Sequence, residues 1–486
     1  MPFTPLPGDG VWRHPIESMT SKAKPHASFL CNDCGHTSPK WEGRCGSCGE
    51  WGTYVEFVKP KAGVRRPHQE PGTALEPVDL GSLAIGAGER LSSGMTEVDR
   101  LLGGGIVPGS VALIAGEPGV GKSTLLLQVA AMLAGSGHRV LYVSGEESGA
   151  QVQSRAQRLG VASAGVQFLA ETDVDALLSI FDVHRPDVLV IDSIQTLYSQ
   201  TVSGTAGSVV QVRECAQRLL GWAKGIGAPV FLAGHVTKDG AIAGPRVLEH
   251  LVDVVLYLEG EGLNSYRMLR CSKNRFGATD DVALFEMMSE GLAEVADPSA
   301  VFIAERRHNV AGSAVVVAME GSRPLLAEVQ ALTNPSTFNP PRRTANGIDF
   351  GRMVMIAAVL TRRARVALAN QDIMVNVAGG LRINEPSADL AVALAIGSSH
   401  LDNPLDSNTV YLGEVGLGGE IRRVPYLERR LAEAAKHGFT RALIPANGGK
   451  ALETNMELVR VENLALALDM AVRGDPKPFR LAKTVL

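Results

Sequence analysis

The first eight of the nine residues Gly116-Glu117-Pro118-Gly119-Val120-Gly121-Lys122-Ser123-Thr124 fit the pattern G-x4-G-K-[ST]. Such a loop cradles the phosphates of a nucleoside triphosphate. Its glycines let backbone N–H groups turn inward, and the helix that follows adds partial positive charge. In that chemistry Lys122 reaches the β- and γ-phosphates and the Ser123 hydroxyl ligates Mg²⁺. An acid must stand opposite. Asp187-Val-Leu-Val-Ile-Asp192 is an apolar run ending in an aspartate, which suits a central parallel strand carrying a carboxylate to its C-terminal edge. Asp192 is therefore expected to orient the water shell of the Mg²⁺.

A second set of residues points to another metal. Cys31-Asn-Asp-Cys34 and Cys45-Gly-Ser-Cys48 form a C-x2-C-x10-C-x2-C array. In a reducing compartment, two such pairs read as a tetrahedral Zn²⁺ site rather than as disulfides. Gly35 and Gly49 each follow a second cysteine, where a tight knuckle turn wants glycine. Four thiolates leave no open coordination position, so the expected role is structural. Cys215 and Cys271 stand alone and read as small buried hydrophobes.

These residues need elements to hold them. Val111–Ala115 reads as a buried strand entering the phosphate loop, and Leu125–Leu133 as the helix leaving it. Further strands are expected at Val140–Ser144, Val188–Asp192, Pro229–Gly234 and Val254–Glu259, with Arg267–Ser272 near the sheet edge. Alternation of strands with helices predicts an α/β fold, a parallel sheet covered on both faces. The chain divides into a disordered extension (1–28), a four-cysteine finger (29–58), a Pro- and charge-bearing linker (59–81), the α/β domain (82–298) and a further domain (299–486). Its 486 residues suit about three domains. With 45% hydrophobic and 20% charged residues the composition is ordinary and globular. A net charge of −4 gives no global attraction to nucleic acid, so any such contact must come from local patches. No apolar run approaches the ~18 residues of a membrane span, and the first thirty residues lack a signal-peptide core. A cytoplasmic location is expected.

Leu91-Ser-Ser-Gly-Met-Thr-Glu-Val-Asp-Arg-Leu-Leu-Gly-Gly-Gly-Ile-Val-Pro-Gly-Ser, running into the phosphate loop, resembles RecA-superfamily ATPases of the KaiC and RadA type. Adding the four-cysteine finger, Lys273-Asn-Arg275-Phe-Gly277 and a Lon-protease-like tail, the chain from Phe29 to Leu486 resembles the bacterial RadA (Sms) family of DNA repair and recombination proteins. The resemblance implies a RecA-like P-loop ATPase core, an N-terminal zinc finger and a C-terminal Lon-like α+β domain. It implies ATP, Mg²⁺ and Zn²⁺ as ligands. It also implies single-stranded and branched DNA and a RecA-type recombinase as partners, and a ring, most naturally hexameric, that drives branch migration.

Site residues carry over by position. Glu146, with Glu147 beside it, stands where RecA-like folds place the base that activates water. His235 and, more weakly, Gln195 resemble the sensor of the γ-phosphate. Ser199 to Gln211 and Thr237 to Arg246, the latter with Lys238, resemble DNA-facing loops. Lys273 and Arg275 resemble either fingers reaching a neighbouring subunit's nucleotide or contacts to DNA phosphates. In the tail, Ser387 matches the Lon nucleophile, but the position aligned with its lysine is Glu428. A serine–lysine dyad needs a neutral amine to take the hydroxyl proton, so the fold is expected without proteolysis. Arg342, Arg343, Arg352, Arg362, Arg363 and Arg365 suggest a surface for DNA or subunit contacts. The competing readings are an ATP-dependent protease and a non-translocating ATP switch of the circadian-clock kinase kind.

Overall fold

The computed structural model describes residues 27–31, 37–46, 49–58, 90–235, 245–260, 265–279, 281–447 and 454–473. The expected extension up to residue 26, the 59–81 linker, Cys34, Cys48 and Lys238 lie outside them, as do the side chain of Arg246 and residues 236–244. The chain forms two compact units, 1–73 and 74–486.

In the first unit a strand at Ala27–Cys31 lies between Thr37–Ser38 and Tyr54–Val58, antiparallel to both. Ala27 and Ser28 pair with Val58 and Phe57, so the first strand takes in two residues before the expected boundary at 29. Phe29, Cys31, Cys45 and Tyr54 make its small core.

Among its described residues the second unit holds two large sheets and a two-stranded ribbon, Glu414–Val415 with Ile421–Arg422. The first contains β1 (Val111–Gly116), β2 (Val140–Ser144), β3 (Gln167–Leu169), β4 (Val188–Asp192), β5 (Val230–His235), β6 (Val254–Glu259), β7 (Tyr266–Asn274), β8 (Val282–Met288) and β9 (Gly291–Glu294), in the order β9-β8-β7-β6-β1-β5-β4-β2-β3. From β6 to β3 the neighbours are parallel; β6, β7, β8 and β9 are joined antiparallel. The central strands are apolar on both faces because both faces are covered. Along β1, Ala112 and Ile114 join the layer under α1 (Lys122–Gly135) and α2 (Gly149–Arg158), while Val111, Leu113 and Ala115 join the layer that also holds α3 (Val174–His184) and α4 (Val209–Ile226) residues. Cys215 and Cys271 are buried in these layers; burial pushes the Cys215 thiol up to about 12. This is a RecA-like P-loop ATPase core.

One expectation fails here. The strand bearing Lys273 is not at the sheet edge: β7 is flanked by β6 and β8, with β9 beyond. The polar Asp-Asp and Ser-Glu-Gly turns of this region separate strands too short for their periodicity to stand out, so β8 and β9 escaped the sequence reading. The Gly/Ser/Thr-rich stretch after β4 is also more ordered than its composition suggests. The buried Gln211 amide donates to the carbonyls of Ser199, Val202 and Gly204 and accepts from Ser199 N–H.

The second sheet runs β12 (Arg343–Asn346), β13 (Gln371–Val377), β11 (Arg323–Pro335), β10 (Ser313–Glu320), β14 (Thr409–Tyr411), β15 (Arg441–Pro445) and β16 (Glu457–Val461) in spatial order. Helices α5 (Pro298–Ile303), α6 (Phe350–Arg363), α7 (Asp389–Leu401) and α8 (Leu427–Lys436) contribute to its core. Helix α7 is apolar all round and almost wholly buried, as a helix in the middle of a domain must be. The pair of Arg270 with Glu320 at 2.8 Å joins the two large sheets, and Arg323 of β11 pairs at 2.7 Å with Glu97 on the helix Thr96–Leu101.

Candidate active site

Every strand from β1 to β5 ends toward one edge of the parallel sheet, and the phosphate loop occupies that edge after β1. Close packing demands its glycines. A Cβ at Gly116 would collide with the Leu258 carbonyl oxygen, and Gly121 takes φ +116° just before the helix starts. Lys122 is 4% exposed. Its ammonium donates to the carbonyls of Gly116 (2.9 Å) and Glu117 (3.0 Å) and lies 3.1 Å from His235 Nδ1. Burial pushes its pKa down, while Asp192 and Glu146 act against that shift. The loop presents a helix of 14 residues with no acidic side chain in its first turn, so its N-terminus is free to favour an anion. The arrangement fits a triphosphate: backbone from Gly119 to Thr124 with Lys122 would hold the phosphates, and Ser123 with Asp192 the Mg²⁺.

The acids lie on neighbouring strands. Asp192 closes β4, is 3% exposed, and accepts the Tyr142 hydroxyl at 2.6 Å. Glu146, just past β2, accepts from Ser193 Oγ at 2.5 Å and meets His235 Nε2 at 3.0 Å. The His235 hydrogen bond holds the Glu146 carboxyl down at about 2; burial opposes this, and Ser193 and Lys122 add to it. One tautomer satisfies all three groups: neutral His235 donates from Nε2 to Glu146 and accepts from Lys122 at Nδ1. Glu147 is otherwise engaged, paired with both guanidinium nitrogens of Arg155 at 2.6 and 2.5 Å. The structure thus brings Lys122, His235 and Glu146 into one line and leaves Glu147 out of it. Gln195 donates to the His235 carbonyl at 3.5 Å.

Lys273 and Arg275 are placed elsewhere. Lys273 Nζ donates to the carbonyls of Glu249 (2.5 Å) and Val252 (2.8 Å), and Arg275 pairs with Asp253 at 3.0 Å. Asp253 in turn accepts the N–H of Val111, the first residue of β1. Both cations therefore stand at the opposite edge of the sheet from their own phosphate loop.

In the small unit, Cys31 and Cys45 are buried side by side in one cluster. Tyr54 donates to Cys45 Sγ at 3.7 Å, and Thr53 Oγ1 lies 3.1 Å from Cys31 Sγ. The Gly49 N–H closes the second knuckle onto the Cys45 carbonyl at 2.9 Å. Hydroxyls aimed at buried sulfurs suit thiolates held by a metal, so the two described cysteines, Cys31 and Cys45, fit Zn²⁺ ligands. Metal analysis of reduced, purified protein is expected to find one Zn²⁺ per chain, and Cys31→Ala to release it while ATP hydrolysis persists. Protein free of zinc would refute the site.

Comparison with known proteins agrees with this layout. Residues 84–241 match a family model described as AAA domain, residues 29–56 one described as Rubredoxin metal binding domain, and residues 351–448 one described as Subunit ChlI of Mg-chelatase. The DNA repair protein RadA of Bacillus subtilis (strain 168) is 46% identical over 457 residues, 93% of this chain and 100% of that protein. RadA of Streptococcus pyogenes serotype M1 is 48% identical over 449 residues, 92% of this chain and 99% of that protein. The chain belongs to the RadA family of DNA repair proteins. RadA relatives match it along nearly their whole length, so the finger, the P-loop core and the tail form one family unit.

The tail of this RadA-family chain holds a residue the sequence reading missed. Ser387 is 1% exposed, but Glu428, aligned with the dyad lysine, is exposed and plays no part at that serine. Arg430 takes its place. Fully buried, it donates to Ser387 Oγ (3.0 Å), to both Glu385 oxygens (2.6 Å each) and to the carbonyls of Val317 (2.5 Å) and Pro425 (2.9 Å). A guanidinium does not deprotonate, so it cannot serve as the base a serine nucleophile needs. The signal was present: Leu427, Arg430, Leu431 and Ala434 follow helical spacing, which puts Arg430 on the buried stripe of α8. The basic residues expected to form a surface have separate local settings. Arg352 is paired with Asp389, Arg342 stacks 3.6 Å over Phe338, Arg343 donates to the Leu368 carbonyl, and Arg363 to that of Leu417. Arg365 adopts φ +57°, and Arg362 is exposed at the end of α6.

Proposed function

We propose that this chain is a DNA-stimulated ATPase of recombinational repair. It assembles as a hexameric ring around single-stranded DNA in the cytoplasm and drives branch migration, with a RecA-type recombinase as partner. The observation that carries this reading is the line Lys122–His235–Glu146. His235 is the last residue of β5, two positions before the Thr237 to Arg246 stretch expected to face DNA. Its ring touches the phosphate-loop lysine on one side and the candidate base on the other. Lys122 serves both the His235 ring and the phosphates, so engaging the phosphates loosens its hold on His235. That change reaches Glu146 and the following segment together. Glu146 orients and deprotonates the attacking water, while Asp192 and Ser123 would hold Mg²⁺, which would supply positive charge beside the transferred phosphoryl group.

The reading is tested by ATP hydrolysis with and without single-stranded DNA, beside a casein-degradation control. DNA should raise hydrolysis and casein should stay intact. Hydrolysis indifferent to DNA would sink the proposal, and so would casein cleavage.

Lys273 and Arg275 fit the role of fingers supplied to a neighbouring subunit's nucleotide, because they face away from their own loop; contact with DNA phosphates is the other reading. A trans finger contributes roughly 10³–10⁵ in rate. Arg275→Ala should therefore bind ATP but hydrolyse it poorly, and mixing it with Lys122→Ala subunits should restore part of the activity. Mixed rings without restoration, coupled with lost DNA binding, would favour the DNA-contact role.

A further inference from the structure

Tyr142 lies in the middle of β2, fully buried in the apolar layer that also holds Leu125, Leu126 and Val129 of α1. A ring there is ordinary packing; a hydroxyl is not, because a buried polar group must be hydrogen-bonded. Its partner is Asp192 Oδ2 at 2.6 Å, a length typical of a charge-assisted O–H···O⁻ bond. The strand register explains the reach. In the parallel β2–β4 pair Tyr142 lies beside Val190 and Ser144 beside Asp192, so Tyr142 and Asp192 share one face, one row apart. A phenylalanine would fill the same apolar space and leave Asp192 without this donor.

We propose that Tyr142 is a positioning residue for Asp192: its hydroxyl holds one carboxylate oxygen and so fixes the rotation that presents the other to the Mg²⁺ water shell. This rests on the phosphate-loop reading above. An aspartate at the end of a strand has a softly rotating carboxyl group. The hydroxyl beneath it removes that freedom, in the way outer hydrogen-bond partners orient metal ligands and contribute roughly 10–100-fold to metal affinity.

The test is binding of a fluorescent, non-hydrolysable ATP analogue to full-length protein, titrated with Mg²⁺ and repeated in EDTA. Wild type, Tyr142→Phe, Asp192→Asn and the double variant are compared. Tyr142→Phe should raise the Mg²⁺ concentration at half-saturation about tenfold and leave affinity in EDTA unchanged. In the Asp192→Asn background the same change should add nothing, since residues acting through one another are not additive. A wild-type Mg²⁺ requirement in Tyr142→Phe would overturn the proposal, as would full additivity in the double variant. Loss of affinity in EDTA as well would make Tyr142 a packing residue and overturn it too. Failure of the phosphate-loop reading looks different: wild type itself would bind no analogue.

Discussion

Lys122→Ala is expected to lower ATP turnover by at least about a hundredfold, with and without DNA. The scale follows from removing one preorganised charge from a site where negative charge develops, which typically costs 10²–10³ in rate. The local geometry deepens the loss. Lys122 is buried and bridges two loop carbonyls and His235, so alanine also leaves the Gly116 and Glu117 carbonyls without their donor and cuts the line to Glu146. Steady-state hydrolysis measures the effect, and circular dichroism checks that the sheet is intact. Turnover at the wild-type rate would overturn the assignment of the phosphate loop and everything built on it.

The second large effect concerns stability. Arg430→Met should lower the melting temperature of the full chain by roughly 10 °C. Arg430 has no solvent exposure, and its partner Glu385 is held by both guanidinium arms. Burial pushes the Glu385 carboxyl up, but Arg430, with Ser387 and the Met319 N–H, outweighs that and holds it below its ordinary range. Removing one member of a buried pair typically costs about 3–5 kcal/mol, because the other charge stays behind uncompensated. For a domain of this size each kcal/mol is worth about 2–4 °C. Ser387→Ala leaves the Arg430–Glu385 ion pair in place and should change the melting point by a few degrees at most, with hydrolysis unaffected. Equal, small shifts in both variants would show that Arg430 is not the anchor of this domain. Peptide cleavage lost in Ser387→Ala would show that the serine is a nucleophile after all.

The phosphate loop, the Asp192 strand and the cysteine array were legible because each is a local pattern. A loop that wraps phosphates must be glycine-rich and contiguous, a buried parallel strand must be apolar on both faces, and a metal knuckle must space its thiols closely. RecA-type order was legible for the same reason: strands alternate with helices within short stretches of chain.

Partners distant in sequence were not legible. Glu146 and Glu147 are adjacent and chemically alike, and only the fold separates them. His235, 89 positions away, meets Glu146, whereas Arg155 on the next helix takes Glu147. Likewise the Lon-like resemblance placed Glu428 opposite Ser387, but the turn of α8 puts Arg430 there, since a helix sends residues two apart to different faces. Lys273 and Arg275 read as an edge-strand motif until β8 and β9 covered that edge. The sequence alone determined which chemistry this protein carries, since that depends on residue types at short spacing. Which carboxylate faces the phosphate-loop lysine, which cation meets the buried serine and which hydroxyl steadies Asp192 were decided by tertiary structure, because those contacts join strands and helices that sequence separates by tens to hundreds of residues.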